Sequence, residues 1–469
     1  MMKRNSFLLI LLFFWFISNG QTDSVRILFL KDFISIVSNY HPVALQANLV
    51  PKQAKMQVRS AWGGFDPLIY ANLNEKFFDG TTYYNYSGID VKVPTWYGIE
   101  LKTGFDKNTG SYQNPELKTP AEGLGYIGAS VPIGKNLFMD QRRAALRQAK
   151  LFEQASDAER RIILNDVILD ALKAYYDWWY NYKALSMYVN AVRLSRIRFE
   201  LTKTGYLLGD RPAIDTIEAL AQLQSRQFQA AEAEMLFKNS SYELSNFLWY
   251  ENQTPVMADN LIPDSALLPV TDLALKSLND LQVELLNQQP NLISYSFKIK
   301  QLEIERRLKL ESVKPTVNLN YNLLSKQYNF LQQTYPAAFS DQYKMGVQLG
   351  FPLTFAQGRG DLALAKYKIQ STQWSFNQKT LELQNKLRSY YNEVSMLKQQ
   401  IAIYSSSVSN YRQVFLGEEK KFQNDESSVF LVNARENQVI QAELKLIELQ
   451  TKYFKSEAGL KWVLGALAN

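Results

Sequence analysis

Few residue types in this chain could carry out chemistry. The sequence has a single histidine, His41, and no cysteine, so neither the common zinc ligand sets nor a Cys/His nucleophile pair can be assembled. Two of the scattered acidic residues could form a glycosidase pair, but no second catalytic feature accompanies them. No Walker-type glycine loop for nucleotide phosphates is found. We therefore expect no enzyme activity, no metal and no cofactor.

Two short turns between long helical patterns hold the most distinctive polar residues. Gly209 and Asn424 occupy the turn positions, and both residue types tolerate the left-handed backbone that a tight helix reversal needs. Asp210 and Asp425 follow them, where a carboxylate can accept hydrogen bonds from free amides at a helix start. Helix capping is a sufficient role for both aspartates.

The turns interrupt two very long helical patterns. No proline falls between Pro132 and Pro212, and none follows Pro352. In both regions apolar residues recur at alternating spacings of three and four, which is typical of coiled-coil packing. The segment from Gln141 to Leu201, if helical, would extend roughly 90 Å at about 1.5 Å per residue. The two seams are Ile168, Ala171, Tyr175, Trp178, Tyr182, Leu185, Val189 and Val192, and Leu383, Leu387, Tyr390, Val394, Leu397, Ile401, Tyr404, Val408, Tyr411 and Phe415.

The two long patterns also match each other, which indicates an internal duplication. Tyr175 precedes Tyr390 by 215 positions, and the same offset relates Asp210 to Asp425. We predict a first repeat at 21–270 and a second at 271–469, each ordered as helix, strands, long helix, tight turn and helix. The first would hold strands at about 65–132 and hairpin helices at 137–250. The second would hold strands at about 315–352 and hairpin helices at 359–465.

Between the helical patterns, the sequence alternates with a period of two. Val317, Leu319, Tyr321 and Leu323 alternate with three asparagines, and Met345, Val347 and Leu349 alternate in the same way. Leu68, Tyr70 and Leu73 form a less regular apolar set near Asn72 and Asn74. Such strands suit a membrane sheet with one lipid face and one wet face. A soluble antiparallel sheet with one exposed face would look the same.

A long insertion rich in Gly, Asn, Thr and Tyr separates the first-half strands between Phe78 and Gly123. It contains a candidate hairpin turning near Asn108 and Gly110. A chain that crosses a membrane and returns needs an even number of crossings, so the insertion adds two strands or none. We expect a long surface loop with hairpin character.

The N-terminus has the pattern of an export signal. Lys3 and Arg4 precede an apolar run from Phe7 to Ile17, and small or turn-forming residues end at Gly20. This pattern predicts a secretory signal peptide at 1–20, with an uncleaved anchor as the alternative. The formal charge of +7 would fall to about +5 after cleavage. Because basic and acidic residues interleave without long runs, we expect no nucleic-acid partner.

Taken in this order, the features resemble the TolC-like outer-membrane efflux protein family over nearly the whole mature length. The stretch from Asn39, NYHPVALQANLVPKQAK, resembles that family's opening helix, and LLNQQPNLISYSFKIKQLEIE from Leu285 repeats it. The resemblance implies a homotrimer in the outer membrane that extends into the periplasm. Each chain would contribute strands to one shared β-barrel in contact with outer-membrane lipid, and helices to a long α-helical barrel. The fold class expected is therefore an α+β membrane protein built from two internal repeats.

The resemblance also assigns roles to the helix reversals. It implies a passive exit duct for small molecules that docks to a periplasmic adaptor protein and an inner-membrane pump. Adaptor contacts would fall on the two turns, at Leu208, Gly209, Asp210, Gln423, Asn424 and Asp425. Constriction residues would be Asp215 and Glu218 in the first half, with Phe430 and Asn433 at the matching positions of the second. Solvated surface charges remain the alternative for Asp215 and Glu218.

Two other functions fit the same features. A type I secretion duct would export proteins instead of small molecules, and the chain does not separate the two because substrate choice lies largely with the inner-membrane pump. A secreted coiled-coil structural protein with a small soluble sheet is the alternative outside the membrane class.

Overall fold

The computed structural model describes residues 26–264, 276–326, 342–424 and 426–468. The predicted signal peptide, Asp425 and most of the segment between Ser325 and Gln342 lie outside the described residues. Long helices combined with a β-sheet confirm the mixed α and β class. The described α-helices are α1 (Leu30–Tyr40), α2 (Pro42–Trp62), α3 (Gln141–Leu207), α4 (Ala213–Ser245), α5 (Leu278–Gln288), α6 (Pro290–Glu311), α7 (Ala356–Gln423) and α8 (Val429–Val463).

The two motifs that carried the family resemblance form equivalent helix starts. His41 is the N-cap of α2, where its Nδ1 accepts a hydrogen bond from the Val43 amide at 3.2 Å. Gln289 is the N-cap of α6, where its Oε1 accepts from the Asn291 amide at 2.7 Å. A proline follows each cap, because the first helical position has no amide hydrogen bond to lose. The single histidine is therefore a capping residue.

The strands form one large sheet and one small one. The first strand pairs in parallel with the sixth, and six further strands form an antiparallel sheet in the order β2-β3-β4-β5-β7-β8. The described strands are β1 (Arg26–Leu28), β2 (Leu68–Phe78), β3 (Thr81–Pro94), β4 (Glu100–Thr109), β5 (Leu124–Pro132), β6 (Leu261–Pro263), β7 (Thr316–Lys326) and β8 (Tyr343–Gly350).

The first-half insertion is not a surface loop. Its residues form β3 and β4, which continue the sheet between β2 and β5. The turn of this hairpin lies at 95–99, where Gly98 has a φ of +87°, and not near Asn108 and Gly110 as the sequence suggested. Gly110 has a φ of +121° and follows the opposite end of β4. The Asn-Thr-Gly sequence at 108–110 therefore marks the end of β4. The turn at 95–99, which contains Trp96 and Tyr97, was not predicted from the sequence.

The long helices bury the predicted seams in two compact units. In the unit that includes the sheet, Leu285 of α5, Leu292 of α6, and Leu383 and Leu387 of α7 join one apolar cluster with residues of α8. Complete burial of a leucine side chain contributes about 1.5–3 kcal/mol, so this cluster is a principal source of stability. Further along the α7 seam, Val394, Ile401 and Val408 are also buried.

The other unit has an aromatic core where α3 meets α4. Trp178 is fully buried, and its Nε1 donates to Ser241 Oγ at 2.9 Å. Tyr175 stacks on Phe33 with ring centroids 5.3 Å apart and donates its hydroxyl to the Leu28 carbonyl. The predicted seam loses burial beyond this core, since Val189 is exposed.

A contact in the sheet-containing unit matches the Trp178–Ser241 contact. Ser456 Oγ donates to Glu393 Oε2 at 2.8 Å, and the two residues are 63 positions apart, as are Trp178 and Ser241. Both pairs join a long helix to the helix that returns beside it. Equivalent positions of the two hairpins therefore hold equivalent helix-to-helix hydrogen bonds.

Within the described ranges, none of the helices combines the length and apolar composition that crossing a membrane requires.

Candidate functional site: a two-faced sheet and two helix reversals

The register of the large sheet separates apolar from polar side chains. Residues directly opposite each other in an antiparallel pair lie on the same face, so the pairs can be followed across all six strands. One face collects mainly aliphatic and aromatic residues, and the other collects amides, charges and glycines. The apolar face includes Ile69, Ala71, Leu73, Ile89, Val91, Val93, Leu101, Phe105, Ile127, Ala129, Val131, Val317, Leu319, Tyr321, Leu323, Met345, Val347 and Leu349.

The apolar face is large, exposed and bounded. Ile69 is 73% exposed and Leu349 is 65% exposed, which is unusual for side chains of this type in a water-soluble sheet. The six strands are 8 to 14 residues long, close to the 9–11 residues that a tilted membrane strand needs, and in β7 the apolar band runs from Val317 to Leu323. Beyond it the same face becomes polar, where Ser87 pairs with Lys107. A lipid layer fits this face better than water does.

The sequence assigned one strand's faces incorrectly. Leu68 and Tyr70 were grouped with Leu73 as apolar, but they share the polar face with Asn72 and Asn74, because they lie an even number of residues from them. The apolar positions of this strand are Ile69, Ala71 and Leu73. Leu68 and Tyr70 have large apolar side chains but lie on the polar face. For this reason the alternation in β2 was not recognised in the sequence.

The two edge strands of the sheet, β2 and β8, have no outer partner among the described strands. Every residue of β2 and every residue of β8 is exposed, whereas the strands between them are mostly half-buried. An edge strand presents unpaired backbone amides and carbonyls, and such groups cannot remain unsatisfied in a hydrocarbon environment. If the apolar face meets lipid, the two edges must be covered by another strand.

Aromatic clusters mark the two ends of β3. At one end, Trp62, Phe65 and Trp96 contact one another, and the Arg147 guanidinium lies 5.6 Å from the Trp96 ring centroid. At the other end, Tyr83 contacts Phe78 and Tyr112, and the Lys76 ammonium lies 4.6 Å from its ring centroid. Tryptophan and tyrosine near cations are common at membrane–water interfaces. The two clusters therefore lie at the positions that the two membrane–water interfaces would occupy along β3.

The first helix reversal has the geometry that its sequence predicted, but not the predicted cap. Gly209 has a φ of +83°, and the Asp210 amide donates to the Gly205 carbonyl at 2.9 Å, which closes α3 with a Schellman-type turn. Leu208 is 73% exposed. The N-cap of α4 is Pro212, without a side-chain hydrogen bond, so Asp210 does not cap this helix.

The second reversal comes one residue later than expected. Leu207 and Gln423, the last residues of α3 and α7, are 216 positions apart, and the starts of α4 and α8 differ by the same amount. Gly209 therefore corresponds to position 425, and not to Asn424. Gln423 and Asn424 are exposed, and the Asn424 amide donates to the Lys421 carbonyl at 3.1 Å. Ser428, not an aspartate, accepts from the Leu431 amide at the start of α8.

The two carboxylates predicted for a constriction lie together. Asp215 and Glu218 are both half-buried on the first turns of α4. Burial raises the pKa of the Glu218 carboxyl above its usual range, and repulsion by the Asp215 carboxylate raises it further. As the pH falls, Glu218 accordingly loses its charge before an ordinary glutamate would. The pair forms a small acidic surface whose charge depends on pH.

The second-half residues proposed to match them, Phe430 and Asn433, each fall one position before the residue that the helix starts align with Asp215 or Glu218, and the two lie in different environments. Phe430 is 64% exposed near the start of α8, whereas Asn433, three residues later, is buried. The Asn433 carbonyl oxygen accepts from Arg198 Nη1 at 2.8 Å, and Glu436 Oε2 accepts from the same nitrogen at 2.9 Å. Asn433 thus holds Arg198, while Phe430 presents an apolar ring to the surface.

A buried arginine network joins these helices, and the sequence analysis did not find it. Arg226 is 1% exposed and donates to Gln229 at 2.8 Å and to the Asn437 carbonyl oxygen. Burial lowers the pKa of Arg226, and the nearby Glu436 carboxylate opposes that shift. Arg226 follows Leu223 by three positions, at the spacing of an apolar seam. A charge at such a position is a sequence signal for a specific buried pair.

No group of three or more His, Asp or Glu side chains suited to a metal ion occurs in the part of the chain that the structure describes.

Comparisons with known proteins agree with these surfaces. The family model described as outer membrane efflux protein matches residues 281–466. The outer-membrane channel OprN has a TM-score of 0.66 at 12% identity, covering 94% of this chain and 90% of that one. CmeC, an outer membrane channel of Campylobacter jejuni, has a TM-score of 0.65 at 14% identity, covering 93% and 85%. The outer membrane protein VceC of Vibrio cholerae has a TM-score of 0.64 at 14% identity, covering 93% and 95%.

At these identities the structural likeness establishes the fold. The search of curated proteins gives no match. The family match confirms the predicted resemblance to the outer-membrane efflux family and the predicted location in the outer membrane, and the solved channels share the fold of this chain.

We predict that Arg198→Ala lowers the free energy of unfolding by about 3–5 kcal/mol, because the Glu436 carboxylate would stay buried without its partner. Thermal and urea unfolding in detergent, followed by far-UV circular dichroism, would measure the loss. Lys238→Ala is the control, since Lys238 pairs with Glu234 on the surface and its removal should leave unfolding unchanged. Equal effects of the two variants would contradict a stabilising buried pair.

Proposed function

We propose that this protein is the outer-membrane exit duct of a tripartite efflux system. Three copies pool their strands in one β-barrel, and their helices line the periplasmic part of the duct. The duct conducts small molecules passively when it is docked to a periplasmic adaptor and an inner-membrane pump, and it is not an enzyme. Its two halves derive from one duplicated unit.

The two-faced sheet with open edges is the observation that carries this proposal. In a soluble coiled-coil protein, a continuous exposed apolar face on six strands would be in contact with water and would favour aggregation. A single chain cannot close the sheet around a lumen, because both edge strands are exposed along their whole length and six strands are fewer than the eight of small membrane barrels. Pooling strands between chains covers the edges and leaves the apolar face to lipid.

We expect an SDS-resistant or heat-modifiable trimer in the outer-membrane fraction. Membrane fractionation, followed by light scattering of the detergent-solubilised particle, would measure its location and mass. A soluble monomer in the periplasmic fraction would contradict the proposed function.

The two helix reversals are the proposed adaptor contacts, at Leu208, Gly209 and Asp210 and at Gln423, Asn424 and Asp425. In support of this assignment, the five described residues of the two reversals are all exposed. The sixth, Asp425, lies outside the described residues. Leu208 supplies an exposed apolar side chain for a partner, and it lies next to the positive-φ turn at Gly209. An exposed leucine beside a rigid turn suits a protein contact.

We predict that Gly209→Val weakens adaptor docking while trimers survive. A Cβ at position 209 would meet no neighbouring atom within 4 Å, so we attribute the cost of about 1–2 kcal/mol to the positive φ. Gly209→Asn is the matched control, because asparagine tolerates that conformation. Adaptor cross-linking and dye export in a deletion strain would be measured. Full export by the valine variant would remove the turn from the docking surface.

The proposed constriction consists of Asp215, Glu218 and Phe430, with Asn433 in a supporting role through Arg198. Trimer symmetry would bring up to six carboxylates and three phenyl rings to a narrow opening. Closely held carboxylates favour cations and repel anions. Because the pKa of Glu218 is raised, the cation preference should decline with falling pH sooner than ordinary glutamates would allow.

We predict that replacing Asp215 and Glu218 together by Asn and Gln reduces cation preference, and that Phe430→Ala raises the resting conductance. Planar-bilayer recordings with intact trimers would measure both quantities, and recordings across a pH series would test the titration. Unchanged selectivity and conductance in these variants would exclude the three residues from the constriction.

A further inference from the structure

The six strands differ in what they connect. The strand β2 follows α2, β5 precedes α3, β7 follows α6 and β8 precedes α7, so four strands are each joined in sequence to a long helix. The other two, β3 and β4, connect only to strands. In the described part of the second half, β7 pairs directly with β8, without strands between them in the sheet. The hairpin of β3 and β4 is thus an extra element of the first half.

This extra hairpin has the same two faces as the rest of the sheet. Ile69 pairs with Val91, Val91 with Thr103, and Thr103 with Ile127, so the apolar band crosses β3 and β4 without a shift of register. On the opposite face Lys92 pairs with Lys102. A hairpin lying in water outside the membrane would have no reason to keep Ile89 exposed beside Phe105 on one face.

The turn of the hairpin is also built into the fold. A Cβ on Gly98 would come within 2.8 Å of Arg143 Nη2, and Arg143 itself is buried. Arg143 Nη1 donates to the Leu137 carbonyl at 3.0 Å, and its Nε lies 3.3 Å from Asp140. The Thr95 hydroxyl closes the turn by donating to the Ile99 carbonyl at 2.7 Å. Close packing against the start of α3 fixes this end of the hairpin.

We propose that β3 and β4 cross the membrane as an additional hairpin, so that the trimer closes a barrel of eighteen strands. The strand β2 of one copy would pair with β8 of the next, since these are the exposed edges. The inference rests on the proposed trimer. Without the extra hairpin, three copies would form a barrel of twelve strands. Barrel diameter grows roughly linearly with strand number, so the hairpin widens the barrel about 1.5-fold.

The wider barrel would also have a different lining. The polar faces of β3 and β4 bring Asp90, Lys92, Lys102 and Asp106 into the lumen, three times over. Barrels of 16–18 strands leave an open aqueous channel. The outer-membrane section would therefore not limit the size of the transported molecule, and selection would rest with the periplasmic end.

Spin labelling can test the membrane crossing directly. The chain has no cysteine, so Val91→Cys and Lys92→Cys give single labels on opposite faces of β3. In proteoliposomes of the full protein, we expect the label at 91 to be more accessible to oxygen, which partitions into lipid. The label at 92 should be more accessible to a water-soluble nickel chelate. Preference for the chelate at both positions would overturn the proposal.

Electron cryo-microscopy of the trimer in nanodiscs would count the strands. We expect eighteen in the natural chain. Deletion of residues 79–110 joins Phe78 to Ser111 and allows β2 to pair with β5 on matching faces, so this variant should have twelve strands and a barrel about 1.5-fold narrower.

The natural chain decides the proposal even if the deletion variant fails to assemble. Trimers with twelve strands and an extramembranous hairpin would refute the extra crossing while leaving the proposed function intact. Absence of any membrane trimer would instead refute the proposed function.

Discussion

Backbone hydrogen bonding at the two edges of the large sheet is the constraint on which the rest of this molecule depends. Among the described strands, none pairs with the outer side of β2 or of β8, and a lipid environment offers no substitute for such a partner. The exposed apolar face suits lipid, and in the proposed trimer the exposed edges are covered by strands of neighbouring copies. On that proposal, the exposure of the sheet in one chain is the exposure of an unassembled subunit.

In the helical part, the constraint is the choice of partner and register for each long helix. Long helices held by a uniform apolar seam can slide or change partners, and several seam positions here carry groups that must be satisfied by specific neighbours. Arg198 with Asn433 and Glu436, and Arg226 with Asn437, fix which helices pack together and in which register. Breaking such a contact leaves a buried charge, so the polar network resists rearrangement more strongly than leucines alone would.

Matched local structures in the two halves support the proposed duplication. Both opening helices begin at a proline after a side-chain cap, His41 in one and Gln289 in the other. Both hairpins have a hydrogen bond between positions 63 residues apart. The described parts of the two halves differ in the sheet and at the reversal. The first half has the additional hairpin of β3 and β4, and the second has Phe430 and Asn433 near its reversal.

The sequence by itself determined the element types and the family resemblance. Proline spacing and the three-four repeat predicted the long helices, because both are local properties of the chain. Alternation in Val317–Leu323 predicted a strand with two faces for the same reason. Gly209 was recognisable because its backbone conformation excludes most residues.

Only the tertiary structure decided which of these local features meet. The number of strands from the insertion depended on pairing between β3, β4 and their neighbours, and the faces of Leu68 and Tyr70 depended on register. The sequence predicted Asp210 as a helix cap, but the N-cap of α4 is Pro212, which makes no side-chain hydrogen bond. The spacing of Arg226 from Leu223 marked a seam position, but its partner Asn437 lies 211 residues away in the sequence, so only packing between helices decided that pairing.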